Sequence, residues 1–436
     1  MKKSVVIVLL LGCMARADAQ APWAVQIDRE YARLEAMYYY LHQHPELSFK
    51  EKETSRYMAD ELRRLGFEVT EQVGGYGVVG VLRNGTGPTL LIRTDLDALP
   101  VTEETGKAYA SKVTTVDDQG RTVGVMHACG HDVHMTVWAG TAQLLMDLRK
   151  QWKGTLVMIG QPAEERGGGA KAMLADGLYE KFPKPDFALA LHTNALLPAG
   201  TVGVCSGYAM ANVDMVDITV YGEGGHGAYP HTTRDPVVLA SELVLAMQTL
   251  VSREKSPLEP AVLTVGSIHG GSKGNIIPNE VRLELTLRSY TDEVRNDLIA
   301  GIRRIAQGLA IAAGLPEDKY PVVTVRDEYV PSLYNDPALT DRLTGVYRQV
   351  LGSGQVRTVS PVMGGEDFSR YGKTDPAVPV HLVWLGVVAP DRAAAAERGE
   401  LSLPSLHSSQ FAPVIDPAIK TGIIALTAAA LDLLQK

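Results

Sequence analysis

Histidine placement is the first sign of chemistry, because seven of the eleven histidines fall in short Gly- or acid-rich segments at the ends of expected strands. Core histidines do not scatter that way. In Met126-His127-Ala128-Cys129-Gly130-His131-Asp132-Val133-His134 a thiol and an imidazole stand two residues apart on a loop entering a helix, so both can reach one cation. Asp132 is placed to cap that helix with its carboxylate. Gln161-Pro162-Ala163-Glu164-Glu165 follows an apolar strand, and adjacent carboxylates at a strand end point different ways. One can bind metal while its neighbour faces the water that the metal activates. His192 ends the apolar stretch Phe187–Leu191, and His407 lies in Leu406-His407-Ser408-Ser409. Asp95 and Asp97 close a further strand on a shared face, where they suit hydrogen bonds from ligand imidazoles that fix the ring tautomers. Singly, each feature has an ordinary reading: a chance Cys-x-His pair, a solvated Glu-Glu turn, aspartates opening a turn before Pro100. Together, at the strand ends of one sheet, they point to a cation site. His134 and Cys205 read as structural, one on a helix face and the other a buried small side chain, and His381 as a satisfied core histidine.

The elements that must position these residues alternate. Helical periodicity from Glu30 to about Gly66 is broken at His44-Pro45, since proline ends a helix. Val78–Arg83, Thr89–Arg93, Thr155–Gly160 and Phe187–His192 read as strands, with a helix over Val133–Lys150. Strand-helix alternation of this kind predicts an α/β domain with a largely parallel central sheet, whose sites gather where strands end. From about Val213 the grammar changes. Strands at Met215–Gly222, Val262–His269, Val281–Ser289 and Val322–Arg326, with helices at Pro236–Ser252 and Glu293–Ala313, predict a two-layer α+β module of ferredoxin-like type. The expected division is therefore 20–208 with 327–436 as the larger domain and 209–326 as an insertion, closed by a helix over Pro417–Leu434. The alanine-rich Arg392–Gly399 reads as a surface loop or short helix.

Composition bounds the function. At 436 residues, 45% hydrophobic and 21% charged, the chain is an ordinary two-domain globular length. Lys2 and Lys3, the apolar run Val5–Leu11 and Ala17-Asp18-Ala19 read as an export signal cut before Gln20, too short to span a bilayer. A second reading makes Leu11-Gly12-Cys13 a lipoprotein site with an anchor on Cys13. Loss of residues 1–19 takes the formal charge from −8 to −10, which together with the lack of any basic run argues against nucleic acid. Of three cysteines, only Cys129 and Cys205 remain after that cut, so no disulfide framework is expected.

The ordered segments His42–Leu47, Asp95–Pro100, Met126–His134, Gln161–Glu165, Gly224–His231, Asn275–Pro278 and Met363–Phe368 resemble the amidohydrolase branch of the aminoacylase and carboxypeptidase G type of dinuclear metallopeptidases. Hippurate hydrolases, N-acyl-amino-acid amidohydrolases and indole-acetyl-amino-acid hydrolases are of this type. The resemblance covers about Val25 to Leu434. It implies a zinc-peptidase-like catalytic domain with an inserted lid and dimerisation module, and a homodimer or larger homo-oligomer. It also implies Cys129 as a thiolate bridging two divalent ions, most suitably zinc with manganese or cobalt as alternatives, and His131, Glu165, His192 and His407 as the other ligands. Glu164 becomes the general base and His226 the oxyanion donor, in its own chain or across a subunit boundary. Asn275, Gly364 and Gly365 become substrate contacts. Two departures bear on the acyl pocket: Ser408-Ser409-Gln410-Phe411 after His407, and a long Ala389–Pro404 loop.

The implied reaction releases a carboxylic acid and an amino acid from an N-acyl or N-aroyl amino acid, hippurate-like or ochratoxin-type conjugates included. Within enzymes the rivals are a metallo-carboxypeptidase or dipeptidase of the same fold, and an amidase in which Cys129 is the nucleophile. Outside them, the rival is an exported binding protein without catalysis.

Overall fold

Strands buried on both faces read as unbroken apolar runs, and four of them form the centre of the larger sheet. The computed structural model describes residues 23–435; the expected export signal and Cys13 lie outside the described residues. The sheet has eight strands in the order Glu68–Val73, Gly77–Asn84, Gly154–Gln161, Thr89–Asp95, Phe187–Pro198, Val380–Val388, Val202–Val204, Val356–Thr358. The four from Gly154–Gln161 to Val380–Val388 run parallel, and antiparallel pairs join the flanking strands to this centre.

Helices cover both faces. Ala24–Gln43, Lys52–Arg64, His131–Asp147, Pro337–Leu351 and Ile415–Leu433 pack on one, around Leu34, Trp138, Leu145 and Ile423. Helix His131–Asp147 is buried almost all round, as befits a helix with no polar face. The opposite face is closed by shorter helices and by Phe368 and Tyr371. The expected helix break falls at His44, and the intervening segment 44–51 runs back towards the strand ends. Arg392–Gly399 resolves as part of a short helix, Pro390–Glu397.

A second sheet, antiparallel throughout, orders Ala261–Gly270, Glu280–Ser289, Asn212–Tyr221 and Val322–Val325. Helices Pro236–Thr249 and Asp292–Ala312 bury Leu239, Leu243, Leu298 and Ile302 on one of its faces. Alternation of buried and partly exposed residues along Asn212–Tyr221 is the period-two pattern of a sheet covered on one side. Among the described residues one stretch, Pro236–Glu254, is long and apolar enough to cross a membrane, and its Leu239, Leu243 and Met247 pack into this core.

Candidate metal centre

Three parallel strands deliver the site: Asp95 and Gln161 end theirs, whereas His192, expected at a strand end, lies midway along Phe187–Pro198. Register sets Asp95 beside Gln161 and His192 beside Trp384, so the residues that follow, Asp97 and Glu164, emerge together. Period two sends Leu90 and Ile92 of Thr89–Asp95 to one core and Leu91 to the other, the face that Arg93 and Asp95 share.

The turn carrying Glu164 and Glu165 is a single 3-10 turn entered through Ala163 at φ 51. A left-handed alanine costs on the order of 1–2 kcal/mol, and the surroundings hold it there. Glu51 accepts the Ala163 N–H at 2.7 Å, while the two oxygens of Asp97 accept from Glu164 N at 3.1 Å and Glu165 N at 3.0 Å. Ser48 in turn donates to Asp97 at 2.6 Å. Buried carboxylates thus satisfy donors that a helix start leaves free.

The Cys129 loop turns into its helix at Gly130, φ 83, where a Cβ would lie 2.7 Å from Thr193 Oγ1; only glycine fits. Gly130 rather than Asp132 is the cap residue; Asp132 sits inside the first turn, where one oxygen accepts the Val133 N–H at 2.8 Å and the other lies 2.7 Å from His42 Nδ1. His131 Nδ1 donates to Asp97 O at 2.7 Å and His192 Nδ1 to Thr193 O at 2.8 Å, which leaves both Nε2 atoms facing inward. His407, held at φ 67, donates its N–H to Ala128 O at 2.9 Å.

Five of the expected residues therefore converge. The ligand atoms of Cys129, His131 and His192 lie within 4.8 Å of one another, and so do those of Cys129, Glu165 and His407. The sulfur belongs to both triads. Cys129 Sγ is 3.5 Å from His192 Nε2, and His407 Nε2 is 3.4 Å from a Glu165 oxygen. His131 Nε2 and Glu165 Oε1 are buried without a hydrogen-bond partner among the described residues, which is where a shared cation would bind.

Charge makes the same demand. Asp95, Asp97, Glu164, Glu165, Glu366 and Asp367 are gathered here with Arg93 as the counter-charge. Burying unpaired carboxylates is costly, so the cage favours added positive charge. Burial pulls the His131 imidazole down, but Asp95 and Asp97 carry it up to about 10, so the carboxylates around it favour positive charge. Burial and then Glu165 push the Cys129 thiol well above its usual range, so a thiolate there needs cations beside it. Burial also raises Glu165, to about 7 against the opposing pull of His131.

The expected carboxylate contacts to ligand imidazoles take another form. Asp97 holds His131 through its backbone carbonyl, with its carboxylate 3.4 Å away, and Asp95 bonds instead to Arg93 and His134. His134, expected as a structural helix-face residue, is buried, donates to Asp95 at 2.7 Å and accepts the Thr193 N–H at 2.8 Å. Cys205 is buried as expected. His381 is a core histidine, yet among the described residues only its Nδ1 has a partner, Thr340 Oγ1 at 3.0 Å.

His226 and Asn275 are not brought to the cluster by any described contact. Both are exposed on a small hairpin of the second sheet's connections, where His226 pairs with Ile276 and Gly227 N donates to Asn275 O at 2.9 Å. Gly364 and Gly365 lie at the seam between the sheets. A Cβ on Gly365 would meet Val213 at 2.3 Å, with Arg288 Nη1 3.5 Å away.

Sequence reasoning passed over Arg93, Glu366, Asp367 and Arg288. An arginine directly after the apolar run Leu90–Ile92, on the same buried strand, is a signal for the first, because a charge in a buried strand must be paired. Its Nη1 and Nη2 reach Asp95 at 2.7 Å and Glu366 at 2.8 Å, and its Nε reaches Gln161 at 3.0 Å.

Residues 91–407 match the family described as Peptidase family M20/M25/M40. Thermostable carboxypeptidase 1 of Saccharolobus solfataricus is 34% identical over 92% of this chain and 93% of its own. N-acetyl-L-cysteine deacetylase of Bacillus subtilis is 36% identical over 76% of both. A crystal structure from Bacillus subtilis, described as a dinuclear metal binding peptidase of the M20 family, covers 93% of this chain and 99% of its own at TM-score 0.74 and 29% identity. With a shared sulfur between two ligand triads and relatives aligned over nearly its whole length, the chain belongs to the M20/M25/M40 peptidase family and is a metal-dependent hydrolase.

Proposed function

We propose that the enzyme hydrolyses the amide between an acyl or aroyl group and an amino acid with a free carboxylate, with Cys129, His131, Glu165, His192 and His407 holding two divalent ions. The sulfur common to both triads carries this reading. A thiolate, three imidazoles and a carboxylate suit zinc, with manganese or cobalt as alternatives. Ions bound there supply Lewis-acid polarisation of the amide and acidification of water.

Glu164 takes the proton of the attacking water and passes it to the leaving nitrogen. Burial, then Glu366 and Glu165, push its carboxyl well above the usual range, so it is a stronger base than a solvated glutamate. His226 donates to the tetrahedral oxyanion. Its exposure in its own chain, beside Asn275, favours service across a subunit boundary in a homo-oligomer. Arg288, partly buried and without an ion-pair partner among the described residues, is the cation for the substrate carboxylate beside Gly364 and Gly365. A carboxypeptidase and a deacetylase among the relatives are consistent with an amide next to a carboxylate. The amino-terminal Lys2, Lys3 and apolar run support export, to the periplasm or medium.

Chelation is expected to abolish hydrolysis of N-acetyl, N-benzoyl and indole-acetyl amino acids, and zinc, manganese or cobalt to restore it. Turnover by fully metal-free protein would overturn the proposal in favour of a cysteine nucleophile.

A further inference from the structure

The last turn of the first helix, Ala24–Gln43, has no part in the chemistry above, yet its His42 sits in a fully enclosed ionic contact. His42 places Nδ1 2.7 Å from Asp132 and Nε2 3.1 Å from Glu103, and all three side chains are at most 2% exposed. With a carboxylate on each nitrogen, both ring nitrogens donate and the ring is an imidazolium. The ring lies against Tyr38 and, edge-on, against Tyr109, 5.6 and 5.2 Å between centroids.

Each carboxylate leads to a ligand-bearing loop. Asp132 follows His131 directly. Glu103 also takes the Ser111 N–H at 2.6 Å and the Thr105 hydroxyl, which fixes the loop around it. The next residue, Glu104, donates its N–H to Ser409 O at 2.9 Å and accepts the Ser409 hydroxyl at 2.6 Å. Ser409 lies two residues beyond His407. A chain of contacts thus runs from the Cys129–His131 loop through His42, Glu103 and Glu104 to the His407 loop.

His407 is the ligand that most needs such support. His131 stands on a core helix and His192 on a central strand, and Glu165 is held by Asp97. His407 is on an exposed loop in a left-handed conformation, which persists only where neighbours over-determine it.

We propose that His42 is a positioning residue of the metal centre, spacing the His407 loop from the Cys129 loop and so setting the affinity of the Cys129, Glu165, His407 position. This rests on the dinuclear reading above. Positioning partners of metal ligands typically matter by about 10–100-fold in affinity.

The test is zinc titration of metal-free wild type, His42→Gln and Ser409→Ala against a competing chelator, with thermal unfolding alongside. Wild type is expected to take up two equivalents. In His42→Gln one equivalent should bind as in wild type and the other about 10–100-fold more weakly, with kcat recovering as zinc is added. Ser409→Ala breaks only an exposed hydrogen bond, so it should shift the same equivalent, by less, at unchanged Tm; it decides the matter if His42→Gln does not fold. Unchanged affinity in the variants, or equal weakening of both equivalents, would overturn the inference while leaving the dinuclear centre standing. A wild type that takes up no zinc would overturn both.

Discussion

Deleting the Arg93 guanidinium weighs the charge imbalance of the site directly. Arg93→Met keeps the aliphatic stem and removes the cation from between Asp95, Glu366 and Asp367, all with side chains at 0% exposure. Burial opposes the guanidinium charge, and Glu366, Asp95 and Asp367 hold it well above its ordinary range, which marks how firmly the ion is kept. Removing one partner of a buried ionic cluster costs about 3–5 kcal/mol, because the remaining charges stay buried without compensation. At about 2.1 cal/mol/K of unfolding entropy per residue, a chain of this length should lose about 3–6 °C in Tm. Calorimetry of metal-free wild type, Arg93→Met, Glu366→Gln and the double variant measures the coupling. The double variant should recover part of the loss, since it deletes a stranded charge. The deficit should also shrink between pH 8 and pH 6. Burial and Glu366, against the pull of Arg93, raise the Asp367 carboxyl to about 7. A carboxyl raised in the folded state contributes stability below its unfolded pKa and loses it as pH rises through the folded value, so lower pH lets Asp367 shed the unpaired charge. Strict additivity, within about 0.5 kcal/mol, would refute the assignment of Arg93 as counter-ion.

Two further outcomes follow from the site. Glu164→Gln should lower kcat about 10²–10⁴-fold while zinc uptake stays at the wild-type level, because the Glu164 N–H to Asp97 bond does not depend on the side chain; undiminished kcat would remove Glu164 from proton transfer. Arg288→Met should raise KM for substrates with a free carboxylate about 10–100-fold, the loss of one charge-assisted hydrogen bond, and leave carboxamide-capped analogues nearly unchanged; an equal effect on both would show that Arg288 does not meet the carboxylate.

The ligand set was legible because each member lies on or beside an element with its own local signature. Apolar runs place Asp95 at a strand end and His192 on a central strand, though that strand continues past it to Pro198, and Cys129-Gly130-His131 marks a tight entry into a helix. What escaped was pairing between distant segments. Arg93 meets Glu366 across 273 positions and His42 meets Asp132 across 90, and no periodicity carries such partnerships. Asp132 shows the limit well. One of its oxygens does accept a first-turn N–H, that of Val133, as a local capping signal allows, but the other meets a buried histidine from another helix, a partnership that no local pattern announces. The His226 hairpin escaped for the opposite reason: its glycine-rich segment was recognised, but sequence holds nothing about which surface an exposed loop will face.

The arrangement explains why the acidic residues outnumber what two ions need as ligands. Glu165 alone is a candidate carboxylate ligand, whereas Asp97 spends both oxygens on the N–H groups of Glu164 and Glu165, and Asp95 divides itself between Arg93 and His134. Those non-ligand carboxylates do two things at once. They pin the turn that presents base and ligand at a φ alanine would not choose, and they keep the field at the centre negative enough that His131 binds a cation whether proton or metal. Arg93 limits that field without entering the centre. Carboxylates buried together as Glu164, Glu366 and Asp367 are are costly without compensating charge, so a cation bound beside them would stabilise the fold by its binding free energy.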